Sequence, residues 1–359
     1  MDDTQPRAFG FSGNWRDYAP IAFTNLLLTI VTLGIYRFWA ITRTRHYLWS
    51  HTRFIDAPLE WTGKAKELLI GFILVAIMFG VPFLCLQFGV QALVIQGHDG
   101  MAALLSLAAA ATILYLTGLA RYRALRYRLS RTWWHGIRGG SDDSGWSYGW
   151  SYIWRTFVGA LPIYLATPWA MMSLWNLRWN KLSFGSEEFT ANGKAGPIFA
   201  RFLLFYLLPI LLVILAIAFA GTFGGMFGGM IVISNFPMPL RILAYLVIVL
   251  GVYALLGIIA LAYYSAFLRE AIGHMTLGRL HFQFDANLDD WVTLTLGDIA
   301  LVIGTLGIGS VFLNYRHWKF FITHLDATGE VYVDEFTQST TREPKQGEGL
   351  LDALDIGAF

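Results

Sequence analysis

The chain has 359 residues, of which 56% are hydrophobic and only 14% are charged, and its mean hydropathy is +0.52. A soluble domain carries roughly a quarter charged residues, so this composition excludes an ordinary soluble protein and predicts an integral membrane protein. The net charge of +2 does not indicate a nucleic-acid partner, and the single cysteine, Cys85, excludes a disulfide framework and a cysteine metal site.

The first predicted element is a helical unit that recurs later in the chain. The N-terminal segment before it is polar and acidic, so we expect no cleaved signal peptide. Residues 26–51 match residues 299–324 at one constant offset, with the Thr-Leu-Gly-Ile that starts at Thr32 falling on the one that starts at Thr305. A weaker copy covers residues 160–180, where Thr167 matches the threonine and Pro168-Trp169 replaces Leu-Gly. This self-similarity predicts three copies of one structural unit.

Four segments between these units are long and apolar enough to cross a bilayer as helices. They are residues 68–95, 101–120, 198–220 and 242–267, and none contains Lys, Asp or Glu. A crossing needs about 20 helical residues. The connections at 96–100 and 221–240 contain no Lys or Arg, and the glycines and prolines of the second argue against a continuing helix.

The basic residues lie at the opposite ends of the four segments. They are Arg43, Arg45, Arg53, Lys64 and Lys66 before the first segment; Arg121, Arg123, Arg126, Arg128, Arg131 and Arg138 after the second; Arg178, Lys181 and Lys194 before the third; and Arg269 and Arg279 after the fourth. Cytoplasmic loops carry the excess of Lys and Arg. The segments therefore form two in–out–in hairpins, and both termini are predicted to be cytoplasmic.

The repeated units conflict with this distribution if each crosses the membrane once. A crossing at residues 19–41 would put Arg7 and Arg16 in the compartment opposite to Arg43 and Arg45. The simpler interpretation is a helical hairpin that enters and returns, broken at Thr-Leu-Gly or Thr-Pro. An arm of 15 residues measures about 22 Å, which is shorter than a hydrocarbon core of about 30 Å. The alternative is three ordinary spans and seven in total.

Strand-like stretches follow the helices on the cytoplasmic side. Residues 51–65 resemble residues 182–195, and residues 279–287 and 329–336 alternate apolar and polar side chains as half-buried strands do. The prediction is an all-α polytopic membrane protein with four full transmembrane helices, three pseudo-repeated re-entrant or interfacial helical hairpins, and small cytoplasmic β-hairpins, either separate or joined into one small sheet. The units are residues 1–150, 151–287 and 288–336, and the polar tail 337–359 is predicted to be disordered.

The chain resembles the YjgN family, bacterial inner-membrane proteins built on a domain of unknown function. The matching residues are Phe9-x-Phe11-x-Gly13, the run from Asn25 through Thr29, Gly34 and Tyr36 to Trp39-Ala40, Arg43-x-Arg45-x-Tyr47, His51-Thr52-Arg53 and Thr62-Gly63. The likeness covers most of the chain, although Thr167-Pro168-Trp169 departs from the Thr-Leu-Gly-Ile form. The resemblance implies a bacterial inner-membrane location and brings no established activity, ligand or catalytic residue.

Catalytic motifs are absent from the sequence: it has no HExxH, no phosphate loop of the GxxxxGK[ST] type and no GxSxG. We therefore expect no enzyme, no cofactor and no metal site. His51 and His324 fall at equivalent positions at the ends of aromatic helices, where packing is the simpler role and metal binding would need converging ligands.

The charged residue that all three copies share is an arginine: Arg43, Arg178 and Arg316. Each could extend its head to the membrane interface, or the three could surround a cytoplasmic opening and attract an anion or an anionic lipid head group. Asn25 and Asp298 are equivalent polar positions at membrane depth in the first arms, where a polar or ionisable group indicates function. The alternative for Asp298 is a helix cap.

Two functions are compatible with these features. The first is a pore or transporter for a small, anionic solute, because irregular backbone at membrane depth commonly lines a cavity. The second is a non-transporting scaffold or lipid-interacting protein with a cytoplasmic, partner-binding β-layer. The expected partners are the lipid bilayer and an anionic lipid or small solute, with no nucleic acid, and the sequence identifies no protein partner.

Overall fold

Helical hairpins and short strands alternate along the chain in the computed structural model, which describes residues 7–161, 163–227, 237–329 and 337–341. The first half contains β1 (Phe9–Phe11), α1 (Trp15–Val31), α2 (Arg37–Ser50), β2 (Thr52–Phe54), β3 (Ala57–Pro58), β4 (Glu60–Trp61), α3 (Ala65–Val75), a π-helical turn (Ala76–Gly80), α4 (Val81–Ile95), α5 (Asp99–Arg131), β5 (Thr132–Trp134), β6 (Ile137–Gly140), α6 (Trp146–Ala160) and α7 (Thr167–Trp179). The second half contains β7 (Ser183–Phe184), β8 (Glu187–Ala191), α8 (Gly196–Phe227), α9 (Met238–Gly273), β9 (Met275–Leu277), β10 (Leu280–Phe284), α10 (Leu288–Gly304), a 3₁₀ turn (Ile308–Phe312), α11 (Leu313–His324) and β11 (Leu325–Thr328).

The helices lie in groups of two or more between successive strands, and we call each group a helical excursion. The two strands that flank a helical excursion are hydrogen-bonded neighbours. Strands β1 and β2 flank α1 and α2, β4 and β5 flank α3 to α5, and β6 and β7 flank α6 and α7. Likewise β8 and β9 flank α8 and α9, and β10 and β11 flank α10 and α11. Both ends of every helical excursion are therefore held at the same place in a sheet.

The strands form a three-stranded sheet in the order β1-β2-β3 and a curled eight-stranded antiparallel sheet from β11 to β4 in reverse chain order. The predicted all-α class is therefore wrong in one respect, because the small β-hairpins join into an extended β-layer beneath a mostly helical body. The strands are only two to five residues long. Segments this short carry almost no periodicity, and their pairing across the chain leaves no local signal.

One face of the sheets is buried against an aromatic core. In β10 the buried Leu280, Phe282 and Phe284 alternate with exposed residues, as the period of a strand requires. The ring of Phe282 lies 6.4 Å from that of Phe9, between ring centroids, and Phe9 lies 4.6 Å from Phe54. These contacts join the three-stranded and the eight-stranded sheet into one core.

Within the described part of the chain, two helices are long and apolar enough to cross a membrane by length and composition: α5, with 33 residues, and α9, with 36. Only 17% and 6% of their most apolar windows are buried within the protein. They contain the predicted segments 101–120 and 242–267. Segment 68–95 corresponds to α3 and α4 with a π-helical turn between them, and segment 198–220 lies in α8. Four crossings therefore stay a prediction.

The glycine-rich connection after the third apolar segment differs from the prediction. Helix α8 continues to Phe227, so its last turns include glycines that we expected to end it. An apolar, continuous hydrogen-bonded helix tolerates glycine at a cost of roughly 1 kcal/mol each, which does not by itself break it. Residues 228–236 lie outside the described part of the chain.

The backbone N–H groups of the turn between α1 and α2 are all hydrogen-bonded within the hairpin. Leu33 and Gly34 adopt positive φ values of 50° and 92°. The Thr32 hydroxyl donates to the Leu28 carbonyl at 2.7 Å and accepts from the Tyr36 N–H at 2.9 Å. All six backbone N–H groups of residues 32–37 have an acceptor within the hairpin.

The turn between α10 and α11 has the same geometry. Leu306 and Gly307 have φ values of 51° and 92°. The Thr305 hydroxyl donates to the Leu301 carbonyl at 2.6 Å and accepts from the Gly309 N–H at 2.6 Å. The N–H groups of residues 305–310 are all bonded within the hairpin, as in the first turn. The matched Thr-Leu-Gly-Ile sequences thus form matched turns.

The middle hairpin turns earlier than its sequence alignment predicts. The break lies between the end of α6 at Ala160 and the start of α7 at Thr167, and Ile163 and Tyr164 within it have positive φ values. Thr167 and Pro168, which were expected to form the break, are the first residues of α7. Proline is favoured in the first helical turn because it has no N–H to leave unpaired. Thr167 donates instead to the carbonyl of Gly159 in α6, at 3.1 Å.

The first part of the predicted disordered tail lies against β6. Gln338 accepts a hydrogen bond from the Arg138 N–H at 3.1 Å and donates to the Gly136 carbonyl at 2.7 Å. Residues 330–336, in the last predicted strand, and residues 342–359 lie outside the described part of the chain. The division into three pseudo-repeats and a disordered tail stays a prediction.

We expect Gly34→Ala to lower the free energy of unfolding by about 1–2 kcal/mol, because an L side chain is strained at positive φ. Steric crowding does not contribute to this loss, since no heavy atom lies within 4 Å of a Cβ added at Gly34. The matched control is Gly251→Ala in α9, which also has open space and should stabilise by about 0.5–1 kcal/mol. Unfolding of the detergent-solubilised protein, followed by tryptophan fluorescence, measures both. Equal effects at the two glycines would contradict the assigned turn.

Candidate functional site

In the first hairpin, Arg43 on α2 reaches across to Asn25 on α1. Its Nη1 donates to the Asn25 side-chain oxygen at 3.4 Å and to the Tyr36 hydroxyl at 3.1 Å. The buried Asn25 amide also donates to the Ala40 carbonyl at 3.2 Å. These bonds pair the two arms of the hairpin, so two residues that the sequence comparison singled out separately lie together.

In the third hairpin the equivalent arginine pairs with a carboxylate instead of an amide. Arg316 on α11 donates through Nε to Asp298 on α10 at 2.6 Å, and the His317 ring nitrogen lies 2.6 Å from the other oxygen of that carboxylate. Asp298 is in the middle of α10, so the helix-cap interpretation is wrong. The cap is Asn287, which forms a capping box with Asp290.

The middle hairpin lacks the partner. Ala160, the last residue of α6, takes the place of Asn25 and Asp298, and Arg178 on α7 has no carboxylate or amide across the hairpin. Arg178 is only 7% exposed and stacks on Trp175, with its guanidinium carbon 5.1 Å from the ring centroid. Among the described residues it makes no hydrogen bond or ion pair.

The three arginines therefore occupy three different environments. No described contact joins any two of them, and each interacts within its own helical hairpin and that hairpin's neighbours. A shared ring around a cytoplasmic opening stays a prediction.

A cavity of about 330 Å³ lies between α5, α6, α7 and α9. Arg178 and Arg121 form its charged end, and Tyr148, Tyr152 and Tyr264 contribute aromatic walls. Arg121, on α5, stacks on Tyr152 at 5.4 Å. The cavity extends to Tyr164 and Ala160 at the turn of the hairpin, so one end is cationic and the other is apolar.

A larger groove of about 640 Å³ lies along α10 and α11, beside the start of α1. Its polar lining mixes Arg316 and Lys319 with Asp290 and His324. Because Arg316 is already held by Asp298, this groove offers fewer free positive charges than the cavity in the middle hairpin.

The nearest loop carboxylate in sequence to the middle hairpin is already paired. Asp143 accepts from Lys181 Nζ at 2.5 Å and from the Gly145 N–H at 2.6 Å. Burial is the largest influence and raises the pKa of Asp143, but these hydrogen bonds together outweigh it, so the pKa lies below its ordinary value. Asp143 therefore carries its charge at neutral pH, and Lys181 balances it.

The two equivalent histidines are packed in the same way. His51 contacts the carbonyl of Tyr47 at 2.7 Å, and His324 contacts the carbonyl of Phe320 at 2.8 Å, in each case one helical turn back. Each ring also lies against that aromatic neighbour, with centroids 4.1 Å and 4.4 Å apart. Within the described part of the chain, no group of three His, Cys, Asp or Glu residues could hold a metal ion.

Comparison with known proteins gives a family over almost the entire chain. A family described as "Bacterial protein of unknown function (DUF898)" matches residues 6–353. The chain belongs to this family. The protein named "Inner membrane protein YjgN" of Salmonella typhimurium (strain LT2) is 29% identical over 99 residues, which cover 28% of this chain and 23% of the relative. The match thus spans about a quarter of the relative's length. No solved structure matches the chain.

The predicted membership of the YjgN family is confirmed, and the residues that carried the resemblance have structural roles. Phe9 and Phe11 form β1, and the Tyr315 hydroxyl donates to the Gly13 carbonyl at 2.9 Å. Arg45 is buried over the Trp61 ring at 4.9 Å. In this DUF898 chain, the sequence signature therefore builds the first hairpin and its base.

Sequence reasoning missed Arg121 and His317 as site residues. Arg121 is the first of six arginines that follow the second apolar segment, and the charge distribution indicates only a cytoplasmic flank. Its position directly after the apolar run was the available signal, because it is the arginine of this group closest to the predicted span. His317 directly follows Arg316, but its contact with Asp298 depends on the turn of the hairpin.

We expect Asp298→Ala to lower the free energy of unfolding by about 2 kcal/mol, because charged hydrogen bonds to Arg316 and His317 are lost. Asp298→Asn should cost less, since the first hairpin pairs Arg43 with an amide. Denaturant titration in detergent measures both. Asp289→Ala, an exposed carboxylate in the first turn of α10, is the control and should cost less than about 1 kcal/mol. Equal losses for the alanine and asparagine variants would argue against the pairing.

Proposed function

We propose that this protein is a non-catalytic scaffold of the bacterial inner membrane, which binds lipid and anchors a cytoplasmic β-layer. In this proposal four helices cross the membrane fully, three helical hairpins enter the inner leaflet and return, and both termini are cytoplasmic. The relative YjgN is named an inner membrane protein, which supports the location.

The strand pairing at the base of each hairpin supports the proposed topology. β1 pairs with β2, β6 with β7, and β10 with β11, and these pairs flank the three short hairpins. Strands on opposite sides of a membrane cannot form a ladder 4.7–4.9 Å wide. The seven-span alternative, in which each unit crosses once, conflicts with this pairing.

Arm length supports a shallow insertion. Helix α1 has 17 residues and α11 has 12, which at 1.5 Å per residue correspond to about 25 Å and 18 Å. Both are shorter than a hydrocarbon core of about 30 Å, and part of each arm is needed to cross the head-group region. A hairpin with these arms reaches into the membrane without passing through it.

The tips of the first and third hairpins carry the proposal, because they combine exposed apolar side chains with backbone N–H groups that are all hydrogen-bonded within the hairpin. Leu33 and Leu306, at the two matched turns, are each 94% exposed. Exposing these leucines to water costs free energy, and so does placing an unpaired backbone polar group in hydrocarbon. Turns that satisfy every N–H internally while presenting leucine are suited to hydrocarbon.

Two buried clusters favour a scaffold over a pore. One contains Phe54, Trp134 and Phe189 on the sheets, and the other contains Tyr18 and Tyr315 where the first and third hairpins meet. Tyr18 and Tyr315 stack with centroids 5.3 Å apart. These aromatic side chains fill the space between the hairpins and the β-layer, where a solute pathway would have to emerge.

Transport of a small anion is the second candidate, and the cationic cavity of the middle hairpin favours it. Arg121, in the second half of α5, and Arg178, in the last turn of α7, line that cavity together. A transporter would need this cavity to open alternately to both sides of the membrane.

The topology predicts a labelling pattern for single cysteines in a Cys85→Ser background. In intact cells a membrane-impermeant maleimide should label Gly100→Cys, in the outer connection, and leave Leu33→Cys and Leu306→Cys unlabelled. In inverted vesicles Lys64→Cys should react, while the two tip variants stay slow because hydrocarbon surrounds them. Labelling of the tip variants in intact cells at the rate of Gly100→Cys would mean that the hairpins cross.

The scaffold proposal also predicts that proteoliposomes containing the purified protein show no uptake of labelled phosphate or sulfate above that of empty liposomes. Uptake that Arg178→Gln abolishes and Arg123→Gln preserves would replace the scaffold proposal with the transport candidate. Arg123 is a suitable control because it lies on the same helix as Arg121 but outside the cavity.

A further inference from the structure

Two arginines at the charged end of the middle-hairpin cavity have no counter-charge. Among the described residues, neither Arg121 nor Arg178 makes a hydrogen bond or an ion pair. Each only stacks on an aromatic ring, Arg121 on Tyr152 and Arg178 on Trp175. The Nε atom of both guanidinium groups is buried without a hydrogen-bond partner.

The electrostatic surroundings of Arg178 are positive. No Asp or Glu lines the cavity. The neighbouring arginines Arg121 and Arg128 disfavour the charge of Arg178, and the polar groups that favour it are the phenols of Tyr148 and Tyr264 rather than a carboxylate. In the first and third hairpins the equivalent arginine has a polar partner, Asn25 or Asp298, across the hairpin. Arg178 is buried and Arg121 is half-buried. A buried guanidinium group beside another positive charge is costly unless an anion neutralises it.

The shape and chemistry of the cavity indicate the class of anion. Guanidinium groups bind phosphate oxygens with two parallel N–H donors, and Tyr152 and Tyr264 line the same cavity. The opposite end, at Ala160 and Tyr164, leads to the exposed turn of the hairpin, where an acyl chain could lie.

We propose that Arg121 and Arg178 form a phosphate-binding site that takes the phosphate of an anionic phospholipid or free inorganic phosphate. The lipid source rests on the proposed insertion of the hairpins into the inner leaflet, whereas the free-phosphate source does not. The proposal would explain why the middle hairpin can replace the polar partner with Ala160 and still bury its arginine.

Two measurements on the full purified chain test the site. Thermal unfolding in detergent compares sodium phosphate with sodium chloride at equal ionic strength. Native mass spectrometry compares phosphatidylglycerol with phosphatidylcholine carrying the same acyl chains. We expect a preference for phosphatidylglycerol of about tenfold, or a phosphate-dependent rise in melting temperature, as expected for charge-assisted hydrogen bonds.

The variants Arg178→Gln and Arg121→Gln should lose these effects, and Arg123→Gln should keep them. Without phosphate or anionic lipid, Arg178→Gln should unfold at a higher temperature than the wild type, because a buried unpaired charge is removed. A merely structural arginine would give the opposite sign.

The outcomes separate the two sources. A lipid preference without a phosphate effect assigns the site to a lipid head group, and a phosphate effect without a lipid preference assigns it to a free anion. If the wild type shows neither the lipid preference nor the phosphate-dependent rise in melting temperature, the proposal is wrong. This outcome needs no variant, so the test remains valid where the variants cannot be purified. Effects that survive Arg178→Gln and Arg121→Gln overturn it as well. Failure of the hairpin topology alone would leave the phosphate measurement valid.

Discussion

The antiparallel ladder at the base of each helical hairpin is the interaction on which the rest of the structure depends. Apolar helices have no directional preference among themselves, whereas two strands joined by backbone hydrogen bonds fix where a hairpin starts and where it ends. The five pairs, from β1 with β2 to β10 with β11, arrange five helical excursions side by side. The helices inherit their order and direction from a layer of strands that are individually very short.

Each short hairpin has to give hydrogen-bond partners to polar groups that lie beside apolar surface. The first and third hairpins do so with matching threonine-centred turns and with an arginine that is bonded to Asn25 or Asp298. The middle hairpin keeps the arginine but not the partner, and there the arginine is buried, whereas Arg43 is exposed and Arg316 is half-buried. The middle hairpin thus differs from the other two both in the conformation of its turn and in the lack of a polar partner for its arginine. The proposed binding site lies in this hairpin.

The sequence predicted the features that local patterns encode. Apolar length located the long helices, and the offset between Thr32 and Thr305 located two matching turns because both are specified by four consecutive residues. The β-layer was underestimated because β4 and β7 have two residues each and pair with distant partners. The cavity of Arg121 and Arg178 was not predictable for the same reason, since it depends on helices that the strands bring together.

The contacts between the first and last hairpins have a consequence for biogenesis. Trp49 stacks on Trp318 with ring centroids 4.2 Å apart, and the backbone N–H of Ala8 donates to the side chain of Asp326 at 2.9 Å. These partners are synthesised at opposite ends of translation, and contacts of such high sequence separation form late. The contacts of the first hairpin with the last one therefore form only after nearly the whole chain has been synthesised, and until then that part of its aromatic surface lacks its native partner. Factors that shield nascent apolar surface would act on this hairpin longer than on any other.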